Sequence, residues 1–188
     1  MLIVLGGLPG TGKTTIAREM LALFPATYLR IDTIEQALRS ADVLAGDVGP
    51  SGYVVAFALA RSNLAVGQSV LADCVNPLPV TREAWRAVAA EGLSRIVEVE
   101  IVCSDVAEHR RRVEQRTVDV PGLVPPTWAS VQQHDYLPWT TQRLVIDTAT
   151  TSARDAAQRS ASSPRPARSF MRNRCNQAMV RTSCSRIF

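Results

Sequence analysis

The sequence predicts an α/β fold in which helices cover both faces of a parallel five-stranded sheet. Two observations support this fold class. Short apolar runs that suit buried strands alternate with longer segments at helical spacing, which favours a parallel sheet over an antiparallel one. The first run, at residues 2–5, is apolar throughout, as in a parallel strand covered on both faces. A chain of 188 residues, 46% of them hydrophobic, is long enough for one such domain.

A glycine-rich loop follows this first strand. Residues 7–14 read GLPGTGKT and match the pattern G-x-x-x-x-G-K-[ST] at every fixed position. Its three glycines allow backbone conformations that a Cβ would block, so successive N–H groups can point at phosphate oxygens. Lys13 can reach the β- and γ-phosphates, and the Thr14 hydroxyl can ligate magnesium. The pattern therefore predicts ATP and Mg²⁺ as cofactors, with ATP preferred because no guanine-recognition motif is present. The expected nucleotide-binding residues are Gly7, Leu8, Pro9, Gly10, Thr11, Gly12, Lys13, Thr14 and Thr15.

Lys13 is the single lysine among the 21 basic residues of the chain. Its ammonium is a compact point charge that fits among phosphate oxygens, whereas a guanidinium is a planar fork. A chain that otherwise uses arginine has kept lysine at this one position. This usage favours a phosphate-binding loop over a structural glycine-rich turn.

The remaining elements follow in alternation. Further strands are predicted at residues 26–31, 69–72, 96–103 and 143–146. Helices are predicted at residues 13–24, 32–40, 53–65, 81–91, 105–116, 128–134 and 152–161. Residues 118–127 contain three prolines and one glycine, so we expect irregular structure there. Glu98 and Glu100 alternate with apolar residues, and we expect the first half of that strand to extend beyond the helical cover.

Two aspartates follow predicted strands at the sheet edge where ligands bind in open α/β folds. Asp73 ends the apolar run of the third strand, as a magnesium-binding acid does, and would hold the ion directly or through water. It can instead line an acceptor site or act as a turn residue. Asp32 follows the second strand. Asp32 can therefore lie in a ligand site. As an alternative, Asp32 or Thr33 can cap the next helix, with Glu35 as the second member of a helix capping box.

The helix predicted at residues 105–116 contains the densest cluster of positive charge in the body of the chain. Its arginines are Arg110, Arg111, Arg112 and Arg116. Arg112 and Arg116 are four residues apart, so we expect them on one helical face, from which they can converge on a transferred phosphoryl group. The alternative is a solvated face on which the arginines pair with Glu108 and Glu114.

Together these residues resemble small P-loop kinases. The chain is similar to the predicted kinases grouped as AAA-family ATP-binding proteins, and through them to chloramphenicol phosphotransferase, gluconate kinase and zeta-toxin-type kinases. The stretches YLRIDTIE, SVLADCVNPLPVTREAW and HRRRVEQRTVDVPGLVPPTW follow the pattern of that group. The resemblance covers about residues 1–150. It implies a nucleoside-monophosphate-kinase-like three-layer fold, a kinase domain at 1–161 and a mobile lid around 110–127.

The resemblance also implies an activity, the ATP-dependent transfer of the γ-phosphate to a hydroxyl of a small molecule. Asp32 would then lie near the acceptor hydroxyl and orient it or accept its proton, while Lys13, Arg112 and Arg116 would stabilise charge in the transition state. Two alternatives remain open. One is a nucleotide-dependent switch or binding protein, and the other is a kinase that acts on a nucleic-acid end or a nucleotide sugar.

Charge separates the body of the chain from its end. Residues 1–160 contain 15 basic and 17 acidic residues, whereas residues 161–188 contain six arginines and no acid. We expect a disordered basic tail at 162–188, for which nucleic-acid binding is the less favoured role and a shifted reading frame is an alternative. No apolar run approaches the ~20 residues needed to span a bilayer, and no secretory signal precedes the first strand, so the expected location is cytoplasmic.

Overall fold

The computed structural model describes residues 1–41 and 46–162. Its strands are β1 (Leu2–Gly6), β2 (Thr27–Arg30), β3 (Val70–Asp73), β4 (Ile96–Val102) and β5 (Leu144–Asp147). Its helices are α1 (Lys13–Leu23), α2 (Ile31–Ser40), α3 (Ser51–Ala65), α4 (Pro79–Glu91), α5 (Val106–Glu114), α6 (Trp128–Gln132) and α7 (Ala153–Ser162). Beyond Ser162, the predicted tail lies outside the described residues.

The five strands form one parallel sheet in the order β2-β3-β1-β4-β5. This arrangement confirms the predicted α/β fold with a five-stranded parallel sheet. All residues of β1 are buried, as its apolar sequence predicts. Because successive side chains of a strand point to opposite faces, Leu2 and Val4 pack on one side of the sheet, whereas Ile3 and Leu5 pack on the other.

Helices complete the two outer layers of the fold. On one face, Ala56 and Ala60 of α3 and Trp85 of α4 pack against the sheet. On the other face, Met20 of α1 and Ala156 of α7 do so. The core therefore consists of two apolar layers separated by a sheet whose strands β1 and β3 are fully buried, whereas the edge strands β2 and β5 are only partly buried.

The register of the strands determines which residues meet at the carboxyl edge. Leu5 at the end of β1 is opposite Asp73 of β3, and Arg30 at the end of β2 is opposite the same aspartate. The glycine-rich loop, Asp73 and the start of α2 therefore lie side by side. This is the edge of a parallel sheet where ligands bind.

The expectation for Glu98 and Glu100 is wrong. Both carboxylates are buried within β4, at 8% exposure each, instead of extending beyond the helices. Arg86 donates to both oxygens of Glu98 over 2.8 and 3.1 Å, and Arg143 donates from Nε to Glu100 over 2.6 Å. The polar alternation thus reflects buried ion pairs, since a paired carboxylate can occupy a position that an unpaired one cannot.

Candidate functional site

The glycine-rich loop joins β1 to α1 and has a backbone that only glycine tolerates at key positions. Gly7 has φ +143°, and a Cβ there would lie 2.1 Å from the carbonyl oxygen of Ile101. Gly12 has φ +98° and is the N-cap of α1. The loop therefore wraps over the start of α1, whose unpaired N–H groups and positive dipole end favour an anion.

Lys13 is buried, with 9% exposure, at the first position of α1. Its Nζ donates to the carbonyl oxygen of Leu8 over 2.9 Å, which uses one of its three N–H groups. Burial lowers the pKa of Lys13, and the negative charges of Asp73 and Asp32 oppose that shift. An arriving phosphate would supply the acceptors and negative charge that this ammonium favours.

Thr14 and Asp73 meet at the base of the same cleft. The Thr14 hydroxyl donates to Asp73 Oδ2 over 2.7 Å, and the Tyr28 hydroxyl donates to the same oxygen over 2.7 Å. Within the described parts of the chain, no group of three or more His, Cys, Asp or Glu side chains could hold a metal ion. A hydroxyl and one carboxylate nevertheless fit Mg²⁺, which takes few protein oxygens and completes its shell with phosphates and water.

Asp32 lies in the first turn of α2 and faces two guanidinium groups. Its Oδ2 is 3.5 Å from an Nη of Arg116 and 3.6 Å from an Nη of Arg30. The N-cap of α2 is Arg30, with no side-chain capping hydrogen bond, so Asp32 is not the capping residue that the sequence left possible. Its side chain is 38% exposed and opens into the cavity beside the glycine-rich loop.

The two arginines proposed to act on the phosphoryl group both line this cavity. Arg112 donates to Thr148 Oγ1 over 2.8 Å and to Glu108 over 2.7 Å. The expectation that Arg112 and Arg116 share a helical face is wrong, because α5 ends at Glu114 and Arg116 lies beyond it. Arg116 therefore reaches Asp32 from an irregular segment.

The other two arginines of the cluster form a solvated face, as the alternative for this helix held. Arg110 pairs with Glu114 over 2.8 Å, and Arg111 pairs with Glu108 over 2.7 Å. Hydrogen bonds from Arg111 and Arg112 lower the pKa of Glu108 to about 2. These exposed ion pairs fix the side chains of Arg110 and Arg111 on α5, and neither arginine lines the cavity.

Two contacts hold the glycine-rich loop from the side. The Thr148 hydroxyl, just after β5, donates to the carbonyl oxygen of Thr11 over 2.9 Å. His109 Nε2 is 2.8 Å from the carbonyl oxygen of Pro9. His109 is buried and packs edge-on against Trp128 at 5.2 Å between ring centroids. The histidine thus supports the loop rather than lying on the surface.

Most of the predicted site residues border one cavity of about 660 Å³, a volume typical of small-molecule sites. The predicted residues that line it are Pro9, Gly10, Gly12, Lys13, Thr14, Thr15, Asp32, Asp73, Arg112 and Arg116. Gly7, Leu8 and Thr11 belong to the loop but do not line the cavity. Four charged or titratable residues also line the cavity without having been predicted: Arg18, Arg30, Asp119 and His134. Tyr28 is likewise an unpredicted partner of Asp73.

The missed residues had faint signals in the sequence. Arg30 is a charged residue that ends an apolar strand immediately before the predicted helix. Asp119 is the only acid in the proline-rich segment at 118–127.

Arg82, by contrast, lies outside the site. It is buried and donates to the backbone carbonyls of Asn76, Pro77, Leu137 and Pro138.

Fold and site together define a P-loop, kinase-like nucleotide-binding protein. The chain belongs to the AAA domain family (AAA_33), whose sequence profile matches residues 2–125. This membership confirms the resemblance drawn from the sequence.

No helix within residues 1–41 and 46–162 is long and apolar enough to cross a membrane.

Solved structures of two kinases and of Kti12 share the fold. A sugar kinase from Janibacter sp. HTCC2649 has a TM-score of 0.60 at 15% identity, over 84% of this chain and 90% of that one. A gluconokinase from Sinorhizobium meliloti 1021 has a TM-score of 0.57 at 18% identity, over 85% and 89%. Kti12 of Chaetomium thermophilum, solved in complex with ADP-AlF3, has a TM-score of 0.62 at 18% identity, over 85% and 95%. At these identities the likeness shows the fold alone.

Relatives closer in sequence are much longer proteins. An uncharacterized protein of Mycobacterium tuberculosis is 36% identical over 109 residues, which cover 52% of this chain and 22% of that protein. An uncharacterized protein of Mycobacterium bovis matches to the same extent. The chain thus spans about a fifth of the length of the curated relatives it matches.

Proposed function

We propose that the protein is an ATP-dependent phosphotransferase that moves the γ-phosphate to a hydroxyl of a small molecule. One observation supports it above the others: the Asp32 carboxylate opens into the same cavity as Lys13 and the Thr14–Asp73 pair. A nucleotide-binding loop alone would serve a switch equally well. A carboxylate beside the phosphate site and next to Arg116 supplies what phosphoryl transfer to an alcohol needs in addition.

The proposed reaction joins two halves of the cavity. On one side, the loop N–H groups and Lys13 bind the phosphates, and Thr14 with Asp73 would hold Mg²⁺, which when bound neutralises phosphate charge. On the other side, Asp32 orients the acceptor hydroxyl and accepts its proton as the oxygen bonds to the γ-phosphorus. The bond from that phosphorus to the bridging oxygen breaks, and ADP leaves. Arg116 and Arg112 stabilise the charge on the transferred group.

The sequence predicts a lid around residues 110–127, but α5 continues to Glu114, so the proposed lid over this reaction is limited to residues 115–127. This irregular segment contributes Arg116, Asp119 and Val124 to the cavity wall. A closed lid excludes water, which would otherwise compete with the acceptor hydroxyl for the γ-phosphate. We further propose that the acceptor is a small molecule in the cytoplasm, with neither nucleic acid nor a membrane as a required partner.

Acceptor-dependent ADP release tests this function. The full chain is assayed with ATP and Mg²⁺ against sugars, sugar acids, nucleosides, amino alcohols and aminoglycosides, and separately against nucleotide sugars and nucleic-acid ends; one small-molecule class should stimulate release. Lys13→Ala should reduce stimulated release by about 10²–10³-fold, since it removes a charge that stabilises the transition state. Arg110→Ala, which alters an exposed arginine of α5, is the matched control and should act like wild type.

The opposite result would favour a rival function. If the chain binds ATP in a way that requires Lys13 but no acceptor class increases ADP release, the nucleotide-dependent switch becomes the better hypothesis. If ADP release rises only with nucleic-acid ends or nucleotide sugars, the protein is a kinase that acts on that class of acceptor.

A further inference from the structure

A single carboxylate joins two arginines on the acceptor side of the cavity. Arg30 donates from Nη1 to Asp119 Oδ2 over 2.8 Å, and Arg18 donates from Nη2 to the same oxygen. Arg18 belongs to α1 and Arg30 to the end of β2, so both are held by the sheet and its cover. Asp119 belongs to the irregular segment between α5 and α6. The two cations are thus built into the body, whereas the anion comes from a loop.

Arg30 is unusual among the charged groups of the cavity. It is 7% exposed, and its Nε is buried without a hydrogen-bond partner among the described residues. A buried guanidinium is costly unless its charge and its donors are matched. Asp119 matches only part of the group: it accepts from Nη1, whereas Nη2 lies 3.6 Å from Asp32, beyond hydrogen-bond distance, on a guanidinium that lines the cavity.

The charges that line the cavity do not balance. Its basic residues are Lys13, Arg18, Arg30, Arg112 and Arg116, and its acids are Asp32, Asp73 and Asp119. The proposed function assigns Asp73 to the metal and Asp32 to the acceptor hydroxyl. Arg18 and Arg30 then share Asp119 as a counter-ion, and Arg30 additionally has Asp32 at 3.6 Å, a carboxylate that also faces Arg116. Oxyanions with more than one acceptor oxygen suit such paired guanidinium groups better than a single aspartate oxygen does.

We propose that Arg18 and Arg30 form an oxyanion subsite for the acceptor, and that Asp119 occupies this subsite in the structure. The inference rests on the proposed function and narrows it: the acceptor is a hydroxyl compound that also bears a carboxylate or a phosphate. Arg30 contacts Asp119 through Nη1 and lies 3.6 Å from Asp32 through Nη2. An anionic group that replaces the Asp119 carboxylate would therefore lie on one side of the Arg30 guanidinium, with Asp32, the proposed proton acceptor, on the other side. This short separation between the anion and the reacting hydroxyl suits a compact acceptor.

Binding of simple oxyanions tests the subsite without turnover. The full chain is loaded with Mg²⁺ and the non-hydrolysable nucleotide AMPPNP, so that the glycine-rich loop is filled. It is then titrated with sodium phosphate or sodium acetate at constant ionic strength, and binding is followed by the rise in thermal unfolding midpoint. General stabilisation by excluded salts affects every variant equally, so differences between variants report the subsite.

Three variants and one control decide the outcome. Arg30→Gln and Arg18→Gln should each raise the apparent Kd for the preferred oxyanion at least tenfold, whereas Asp119→Asn should lower it at least threefold by removing the competing carboxylate. Arg110→Gln should match wild type. If Arg30→Gln does not fold, Arg18→Gln still decides, because Arg18 is 63% exposed. Stronger binding of phosphate indicates a phosphorylated acceptor, and stronger binding of acetate indicates an acid.

Two results overturn the subsite. One is that neither oxyanion stabilises the nucleotide-loaded protein beyond sodium chloride. The other is an equal response of wild type, Arg18→Gln and Asp119→Asn. The proposed function fails differently, since it fails when ADP release does not depend on any acceptor. Oxyanion binding with the expected variant pattern but no transfer would support the subsite and contradict the kinase.

Discussion

At the scale of single residues, the site is defined by contacts between side chains that are far apart in sequence. Asp73 accepts hydrogen bonds from both Thr14 and Tyr28, although it lies 59 residues from Thr14 and 45 residues from Tyr28 in the chain. One carboxylate oxygen is therefore oriented from two sides. A donor such as Tyr28, which is not itself a proposed ligand, determines how well a metal ligand is positioned.

Tyr28→Phe tests this orientation. Removing the hydroxyl leaves Thr14 as the remaining donor to Asp73 Oδ2, so we expect the Mg²⁺ concentration for half-maximal activity to rise about tenfold. Burial raises the pKa of Tyr28, so the tyrosine stays protonated and donates throughout the working pH range. Mg²⁺ titration of ADP release measures the effect. Tyr136→Phe, which contacts Glu100 rather than Asp73, is the control.

Asp119 predicts a defined response to acid. Hydrogen bonding to Arg30, together with the positive charges of Arg30 and Arg18, lowers its pKa from 3.8 to about 2. A carboxylate whose pKa is lower in the folded protein adds stability above about pH 4, and that stability is lost as the pH falls toward 2. Asp119→Asn should therefore lose less stability than wild type between pH 5 and pH 3. Urea unfolding at the two pH values measures the difference, and an equal loss in both proteins would contradict the ion pair.

At the scale of elements, the sequence predicted most strands and helices because each has a clear local signal. Asp105 caps α5 near the start of the predicted helix, with its side chain accepting from the backbone N–H of Glu108 over 3.0 Å. Helix α5 nevertheless ends at Glu114, earlier than its run of arginines suggested. Local periodicity does not show where a helix gives way to a loop whose residues make tertiary contacts, such as that between Arg116 and Asp32.

The prediction for Glu98 and Glu100 of β4 is wrong for a similar reason. Alternating charge in a strand predicts solvent on one face, and nothing in the sequence identifies Arg86 and Arg143 as partners 12 and 43 residues away. The same limit applies to Arg30 and Asp119, whose contact spans 89 residues. Local spacing predicts which elements form, whereas pairing across elements requires the fold.

Arg143→Leu tests the importance of these pairs for β4. The change leaves the buried Glu100 with Tyr136 as its remaining hydrogen-bond donor, and we expect a loss of about 2 kcal/mol in the free energy of unfolding. The loss is smaller than for a fully buried pair because the Arg143 side chain is 28% exposed. Chemical denaturation measures it. Adding Glu100→Gln should recover part of the loss, and Arg110→Leu should change stability by less than about 0.5 kcal/mol.

At the scale of the whole molecule, the candidate site collects loops from the carboxyl ends of the strands. The glycine-rich loop follows β1, Asp32 follows β2, Asp73 ends β3, and Thr148 follows β5. The sequence predicted the parallel sheet, and thus that these ends share one edge. The strand order came from the structure, and it is this order that brings Arg30 opposite Asp73.

Transfer of label from γ-³²P-labelled ATP to an acceptor tests the central claim most directly. With the acceptor class found by ADP release, wild type should place the label on the acceptor. Asp32→Asn should lower this transfer by about 10²–10⁴-fold, because it removes the proton acceptor, while nucleotide binding stays unchanged. Label found only in inorganic phosphate, or equal transfer by Asp32→Asn and wild type, would contradict a kinase that uses Asp32 in this way.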